Sequence, residues 1–178
     1  PVKWVADRTE SFLSDCHGRD HVTHAELAVK NDGTFLGFKN ETIANIGAYA
    51  SVFATVTPTY LFGPCATGVY KMPAAYSNVK AVFTNTAPVD AYRGAGRPEA
   101  TYTIETLVEK AARELGMDPA ELRMKNFPTE FPFQQTLVHS VDSGDYNAGL
   151  KKAMEVGDYK GFEKRKKESA SKGKLRGI

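Results

Sequence analysis

Residues 98–116 read PEATYTIETLVEKAARELG, and their spacing decides the fold class. Ile104, Leu107, Val108, Ala111, Ala112 and Leu115 recur at the interval that puts side chains on one helical face. Pro98 stands near the first helical position, where its missing N–H is no loss, and Gly116 stands where a C-terminal cap belongs. The stretch predicts a helix over 98–115. Directly after it, Asp118-Pro119-Ala120-Glu121 offers a capping carboxylate, a first-position proline and a glutamate three residues beyond the cap. A short second helix through Met124 follows from that order. Ser143-Gly144-Asp145 caps a third helix, and Asp158 a fourth that carries a basic tail.

Upstream the period changes from helical to alternating. In VTHAELAVKNDGTFLGFKNETIAN, residues 22–45, the more apolar face is Thr23, Ala25, Leu27 and Val29. Asn31-Asp32-Gly33 supplies turn residues, so 22–45 predicts a long antiparallel hairpin. Val79 to Thr84 is rich in β-branched and aromatic residues and reads as a further strand. Trp4-Val5-Ala6 and Phe12-Leu13, around the charged Asp7 to Glu10, suit a short strand and a turn. Ile46 to Tyr60 fits either a strand or a buried helix. Strands first and helices afterwards, without βαβ alternation, imply an α+β fold: a two-layer arrangement of an antiparallel sheet with helices. Leu27 and Val29 are expected to pack on Ile104, Leu107 and Ala111.

Composition bounds the function less tightly. The 178 residues are 42% hydrophobic and 25% charged, enough for one globular core, so 1–178 is read as a single fragment of one domain. Twenty-three basic against 21 acidic side chains leave a net charge of +2, which gives no electrostatic reason to expect nucleic acid or a membrane surface. Cys16 and Cys65 are far apart and form no zinc spacing, consistent with reduced thiols in a cytoplasmic protein. No apolar run approaches a membrane-spanning length. The start at Pro1-Val2-Lys3-Trp4 and the end at Gly177-Ile178 are expected to be cut points inside a longer polypeptide.

Three places could carry chemistry. In Tyr92 to Pro98, two glycines let the backbone approach a ligand, the predicted helix points free N–H groups back at the loop, and Arg93 adds a fixed cation suited to oxygen atoms. The competing reading is a strand-to-helix turn with a solvated arginine. The loop is no dinucleotide fingerprint, because Glu99 stands at the third glycine of that pattern. His17, His21 and His24 cluster, but alternation points His21 away from His24 and no fourth ligand closes a site, so packing is expected rather than metal. Asp142 and Asp145 read as turn and cap residues, and Cys16-His17 adjacency makes no catalytic dyad. The lysine-rich tail after Lys151 lacks interleaved aromatics and reads as a solvated helix face rather than a phosphate or RNA patch.

Taken in order, several segments resemble one family. Pro1-Val2-Lys3-Trp4, Asp7-Arg8, Glu10 and His17-Gly18-Arg19-Asp20-His21 resemble the opening of the larger molybdopterin-binding region of molybdenum hydroxylases, the family of xanthine dehydrogenase, aldehyde oxidase and carbon monoxide dehydrogenase. Ala91-Tyr92-Arg93-Gly94-Ala95-Gly96-Arg97 is similar to that family's cofactor loop, in the form labelled as the second kind of carbon monoxide dehydrogenase. Leu115 to Asn126, Ser143-Gly144-Asp145-Tyr146 and Lys174-Leu175-Arg176-Gly177-Ile178 also fit. The resemblance implies an internal piece of a large subunit that binds molybdopterin and oxidises a small-molecule substrate, an aldehyde or an N-heterocycle. It also implies iron–sulfur and FAD subunits as electron-accepting partners.

By the same resemblance Tyr92, Arg93, Gly94 and Ala95 border the cofactor, and Ala95 borders the substrate pocket, where xanthine dehydrogenases carry phenylalanine. The substrate-binding arginine of those enzymes has no counterpart near Leu61-Phe62. Carbon monoxide dehydrogenases proper carry a copper-holding cysteine where this chain has Gly94. A glycine and phenylalanine-rich motif and the catalytic glutamate fall outside 1–178, so no catalytic residue is expected within the chain. Alone it is expected to be inactive and free of cofactor. The alternatives are a true carbon monoxide dehydrogenase large chain, or a non-catalytic phosphate-binding or interaction module.

Overall fold

The computed structural model describes residues 1–178. Its centre is a three-stranded sheet, β1 (His21–Val29), β2 (Phe35–Asn45) and β3 (Ala74–Val82), in the order β1-β2-β3. β1 and β2 form the expected hairpin, pairing antiparallel from His21 opposite Ala44 through Leu27 opposite Phe38. Gly33, with φ +86°, makes the turn. Burial alternates along β1, so Thr23, Ala25, Leu27 and Val29 do form the inner face while Val22 is exposed.

The α+β class holds, but the sheet is mixed. β3 runs parallel to β2, Gly37 pairing with Ala74 and Asn45 with Val82, where an antiparallel sheet was expected. The reversal comes from 46–73, which carries the chain back to the start of β2 before β3 begins. Ile46 to Tyr60, which fits a strand or a buried helix in sequence, is neither. The stretch 46–73 is a succession of turns and bends containing a single 3-10 turn at Gly63–Cys65. β3 also begins before Val79, because an edge strand only partly covered accepts polar residues such as Ser77 and Asn78.

The N-terminal segment is a helix, α1 (Arg8–Ser14), not a strand and turn. The charged residues that looked like an interruption are its cap: Glu10 N–H donates to Asp7 Oδ1 at 2.8 Å and Asp7 N–H to Glu10 Oε2 at 2.9 Å.

The predicted helix is α2 (Arg97–Leu115), closed by Gly116 at φ +65°. It buries Ala100, Ile104, Val108 and Ala112. Leu27, Val29, Leu107 and Ala111, partly buried, pack around the core that includes Ile104, as the two apolar patterns require. Burial of Ile104 alone contributes about 2 kcal/mol. α3 (Pro119–Asn126) starts on Asp118, whose carboxylate accepts from Ala120 and Glu121 N–H at 2.7 and 3.0 Å. Arg123 ties α3 to α2: its Nε and Nη2 donate to Glu105 Oε2 at 2.9 and 2.7 Å, and the Tyr70 hydroxyl donates to Glu105 Oε1 at 2.7 Å.

Asp145 caps α4 (Tyr146–Val156), and Asp158 caps a 3-10 turn leading into α5 (Phe162–Ala170). Between α3 and α4 lies a two-residue hairpin, β4 (Phe133–Gln134) with β5 (Ser140–Val141), too short to leave a pattern in the sequence.

Candidate functional site

The loop from β3 to α2 is built on three successive residues with positive φ: Gly94 at +93°, Ala95 at +37° and Gly96 at +83°. Glycine is needed at both flanking positions. A Cβ on Gly94 would stand 2.5 Å from Pro98 Cγ, and one on Gly96 would stand 2.6 Å from the Thr57 carbonyl oxygen. Within the loop Ala95 N–H donates to Tyr92 O at 2.7 Å and Arg97 N–H to Gly94 O at 3.2 Å. The amides of Tyr92, Arg93, Gly94 and Gly96 donate to no atom of the chain. Gly96, at the N-cap of α2, has no side chain to satisfy the first-turn donors. A run of left-handed residues with free N–H groups at a helix start is a cradle for oxygen-bearing ligands.

The structure brings Tyr92, Arg93, Gly94 and Ala95 together on this loop, the first three exposed and Ala95 half-buried. The Arg93 guanidinium pairs with no group of the chain, whereas Arg97 donates back to the Ala95 carbonyl at 3.2 Å. Arg97 is therefore part of the loop's frame.

A second segment, His17 to His21, which carries part of the family resemblance, closes on the loop. His17 N–H donates to Pro88 O and Asp90 N–H to His17 O, both at 2.8 Å, so residues 17–19 run alongside 88–90. Gly18 lacks the Cβ that would collide with Tyr92. Arg19, at φ +58°, then turns its guanidinium over the Tyr92 ring, 4.7 Å from the centroid, and donates to the Arg93 carbonyl. Its Nε lies 3.6 Å from Glu99 Oε2 in the first turn of α2.

Behind this contact a cavity of about 520 Å³ opens between β1 and α2, lined by Arg19, His21, Thr23, Glu99, Thr103 and Leu107 among others. Two buried polar atoms in it have no hydrogen-bond partner, His21 Nδ1 and Glu99 Oε2. Burial pushes the His21 pKa down, opposed by the carboxylates of Glu99 and Asp20. Its ring meets Phe62 edge-on at 5.1 Å.

The remaining candidates do not assemble. No group of three or more His, Cys, Asp or Glu is placed to hold a metal ion. His24 faces Glu26 on the exposed sheet surface at 3.4 Å, on the face opposite His21. Asp142 is exposed, and Asp145 is a cap. Cys16 does not pair with His17; Cys65 instead lies 3.4 Å from His139 Nε2, a contact across 74 residues that spacing could not reveal. Burial pushes the Cys65 thiol up, with Arg97 opposing, which disfavours a thiolate. The tail's basic residues are spread over a largely exposed helix, Arg165 pairing with Asp158 and Lys166 lying over Phe162. No helix is long and apolar enough to cross a membrane.

Comparison with known proteins follows the same residues. The family model of the molybdopterin cofactor-binding domain matches residues 1–127. The chain is 42% identical to the carbon monoxide dehydrogenase large chain of Hydrogenophaga pseudoflava over 89% of its length and 20% of that protein's. It is 34% identical to the gamma subunit of the 6-hydroxypseudooxynicotine dehydrogenase complex of Paenarthrobacter nicotinovorans, over all of this chain and 23% of the relative. The crystal structure of quinoline 2-oxidoreductase from Pseudomonas putida 86 superposes with a TM-score of 0.89 at 34% identity, over 96% of this chain and 22% of the other. The chain thus spans roughly a fifth of the length of the curated relatives it matches.

Proposed function

The chain belongs to the molybdopterin cofactor-binding domain family, and on that premise we propose that Tyr92, Arg93, Gly94 and Ala95 form one wall of the cofactor and substrate site of a molybdenum-dependent hydroxylase. The observation that carries this is the loop's geometry: three left-handed residues, free amides and an unpaired guanidinium at the start of α2. Such a wall would fit a group rich in phosphate and other oxygen acceptors. The fit is with the rim of the cofactor, since the chain has no ligand set for the metal itself.

The bound cofactor supplies the two-electron oxidation of a substrate carbon with oxygen derived from water. This chain's residues orient and stabilise. The backbone N–H groups of Arg93 and Gly94 donate to acceptor atoms, and the Arg93 guanidinium holds charge developing on oxygen. Ala95, with only a methyl group, leaves room for the substrate. Electrons leave through iron–sulfur and FAD partners of the parent complex, in line with relatives named as large chains and complex subunits.

Substrate class follows from Gly94 and Ala95. Gly94 offers no thiol for copper, and its φ with Pro98 pressed against the Cβ position excludes a side chain there unless the loop moves. That speaks against carbon monoxide and for an N-heterocycle or aldehyde; the likeness itself runs to both classes, the carbon monoxide dehydrogenase large chain at 42% identity and the quinoline and pseudooxynicotine enzymes at 34%. The test is the full-length complex with Arg93→Ala, assayed with N-heterocycles, aldehydes and carbon monoxide alongside molybdenum content. Turnover of an N-heterocycle or aldehyde should fall by about a hundredfold with molybdenum retained, and lysine should rescue poorly because it lacks the planar fork. Wild-type turnover in Arg93→Ala removes the wall from the site, and carbon monoxide as the sole substrate overturns the class.

A further inference from the structure

Arg19 reaches the loop at both of its ends. Its guanidinium donates to the Arg93 carbonyl, lies over the Tyr92 ring at 4.7 Å, and faces Glu99 Oε2 at 3.6 Å. Tyr92 and Glu99 stand at opposite ends of the loop, one before its left-handed run and the other in the first turn of α2. One planar cation therefore spans the loop from end to end.

The loop needs such a brace. Ala95 holds φ +37°, a region that L side chains rarely adopt, between two flexible glycines, and the loop has only two internal backbone hydrogen bonds. Glu99 needs it too: its side chain is only 9% exposed and its inner oxygen has no hydrogen-bond partner, so without the arginine a carboxylate would be left buried and uncompensated. The approach is prepared in the preceding residues, where Gly18 yields the space beside Tyr92 and Arg19 itself takes φ +58°. A solvated surface arginine would need none of this.

We propose that Arg19 is a positioning residue that staples the Tyr92–Gly96 loop to α2 and so sets the place of Arg93 and Ala95. Its importance for turnover rests on the reading of that loop as a cofactor wall; the staple itself does not. Arginine is required over lysine because stacking on Tyr92 while donating to the Arg93 carbonyl and pairing with the Glu99 carboxylate uses the planar fork in three directions.

The experiment uses the full-length large subunit in its complex, with Arg19→Ala, Arg19→Lys and Glu99→Gln. Exchange of the Ala95 and Arg97 amides, the two that are hydrogen-bonded within the loop, reads the staple, and molybdenum content, the Mo(V) resonance signal and the split between kcat and KM read its consequence. Arg19→Ala should speed exchange of these two amides by about tenfold or more while α3 and β1 stay protected. It should also alter the Mo(V) signal and lower kcat by about a hundredfold with KM less affected, the cost typical of a misplaced wall. Arg19→Lys should recover little, and Glu99→Gln should loosen the loop by a smaller factor. If Arg19→Ala does not fold, the two milder variants carry the same readouts. Unchanged exchange of the Ala95 and Arg97 amides in every folded variant overturns the staple. Faster exchange with an unaltered Mo(V) signal and kcat upholds the staple and instead removes the loop from the neighbourhood of molybdenum.

Discussion

Asn126, the last residue of α3, holds Phe35, the first residue of β2, through a buried hydrogen bond: Phe35 N–H donates to Asn126 Oδ1 at 2.9 Å. The same side chain donates through Nδ2 to the Gly33 carbonyl at 2.9 Å, so one amide satisfies both sides of the β1–β2 turn. Asn126 is only 3% exposed, and water has little access to replace it.

Asn126→Ala should destabilise the chain by about 2–4 kcal/mol, because it leaves the Phe35 N–H and the Gly33 carbonyl buried without partners. Asn126→Asp should be no better, since a carboxylate keeps the acceptor for Phe35 but faces the Gly33 carbonyl with like charge. Urea unfolding of the two variants tests this; a loss under about 0.5 kcal/mol would mean that the turn relaxes and finds other partners.

Gly96→Ala and Gly116→Ala separate contact from conformation. Both glycines have positive φ, +83° and +65°. A Cβ on Gly116 meets nothing within 4 Å, whereas one on Gly96 stands 2.6 Å from Thr57 O and 2.7 Å from Leu61 C. Gly116→Ala should cost about 1 kcal/mol, the penalty of the left-handed region alone, and Gly96→Ala clearly more. Equal thermal shifts would show that the segment around Thr57 yields without cost.

Stability should fall on mild acidification because of His21. Burial, the largest influence, lowers its pKa below the ordinary 6.5, with Glu99 and Asp20 pulling the other way. The unfolded chain then takes up the proton more readily than the folded one. The contribution of neutral His21 is complete above 6.5 and is lost as pH falls through the lowered folded value. Asp32 and Asp90, also lowered, act in the same direction but from their ordinary 3.8 downward. His21→Leu should flatten the loss between about pH 7 and 5 while leaving the steeper loss at lower pH. An unchanged profile would assign the acid sensitivity elsewhere.

Ala95→Phe probes pocket size. The alanine already holds φ +37°, so a larger side chain adds bulk with little further backbone cost. In the full-length enzyme kcat/KM for a bicyclic N-heterocycle should drop by about tenfold or more relative to a small aldehyde. A uniform loss on both substrates would show that position 95 does not border the substrate.

The elements legible in the sequence were those whose signals are local. The face of α2, the caps at Asp118 and Asp145, and the alternation of β1 each involve residues a turn or a strand apart. The direction of β3 was not legible, because pairing with β2 depends on where 46–73 delivers the chain, and a run of turns has no period. α1 is not legible because its capping box, Asp7 and Glu10, has the composition of a charged turn. The loop at 92–95 and the segment with Arg19 both stand out through their likeness to a family, but the contact between them is not legible, since Arg19's partners Tyr92, Arg93 and Glu99 lie more than seventy residues away.

The parallel pairing of β2 and β3 also sets an order of events when the chain folds. The β1–β2 hairpin closes over a short turn, a step of microseconds, but β3 can dock only after the whole excursion from Ile46 to Pro73 has been looped back. The hairpin is then the natural nucleus, and β3 and α2, both reached across long loops, dock later. Substitutions in β3 or at Ile104 should chiefly accelerate unfolding, whereas those within the hairpin, at Leu27 or Phe38, should slow folding itself. The kinetic seam of the molecule runs between β2 and β3, through the middle of a sheet that looks continuous at equilibrium.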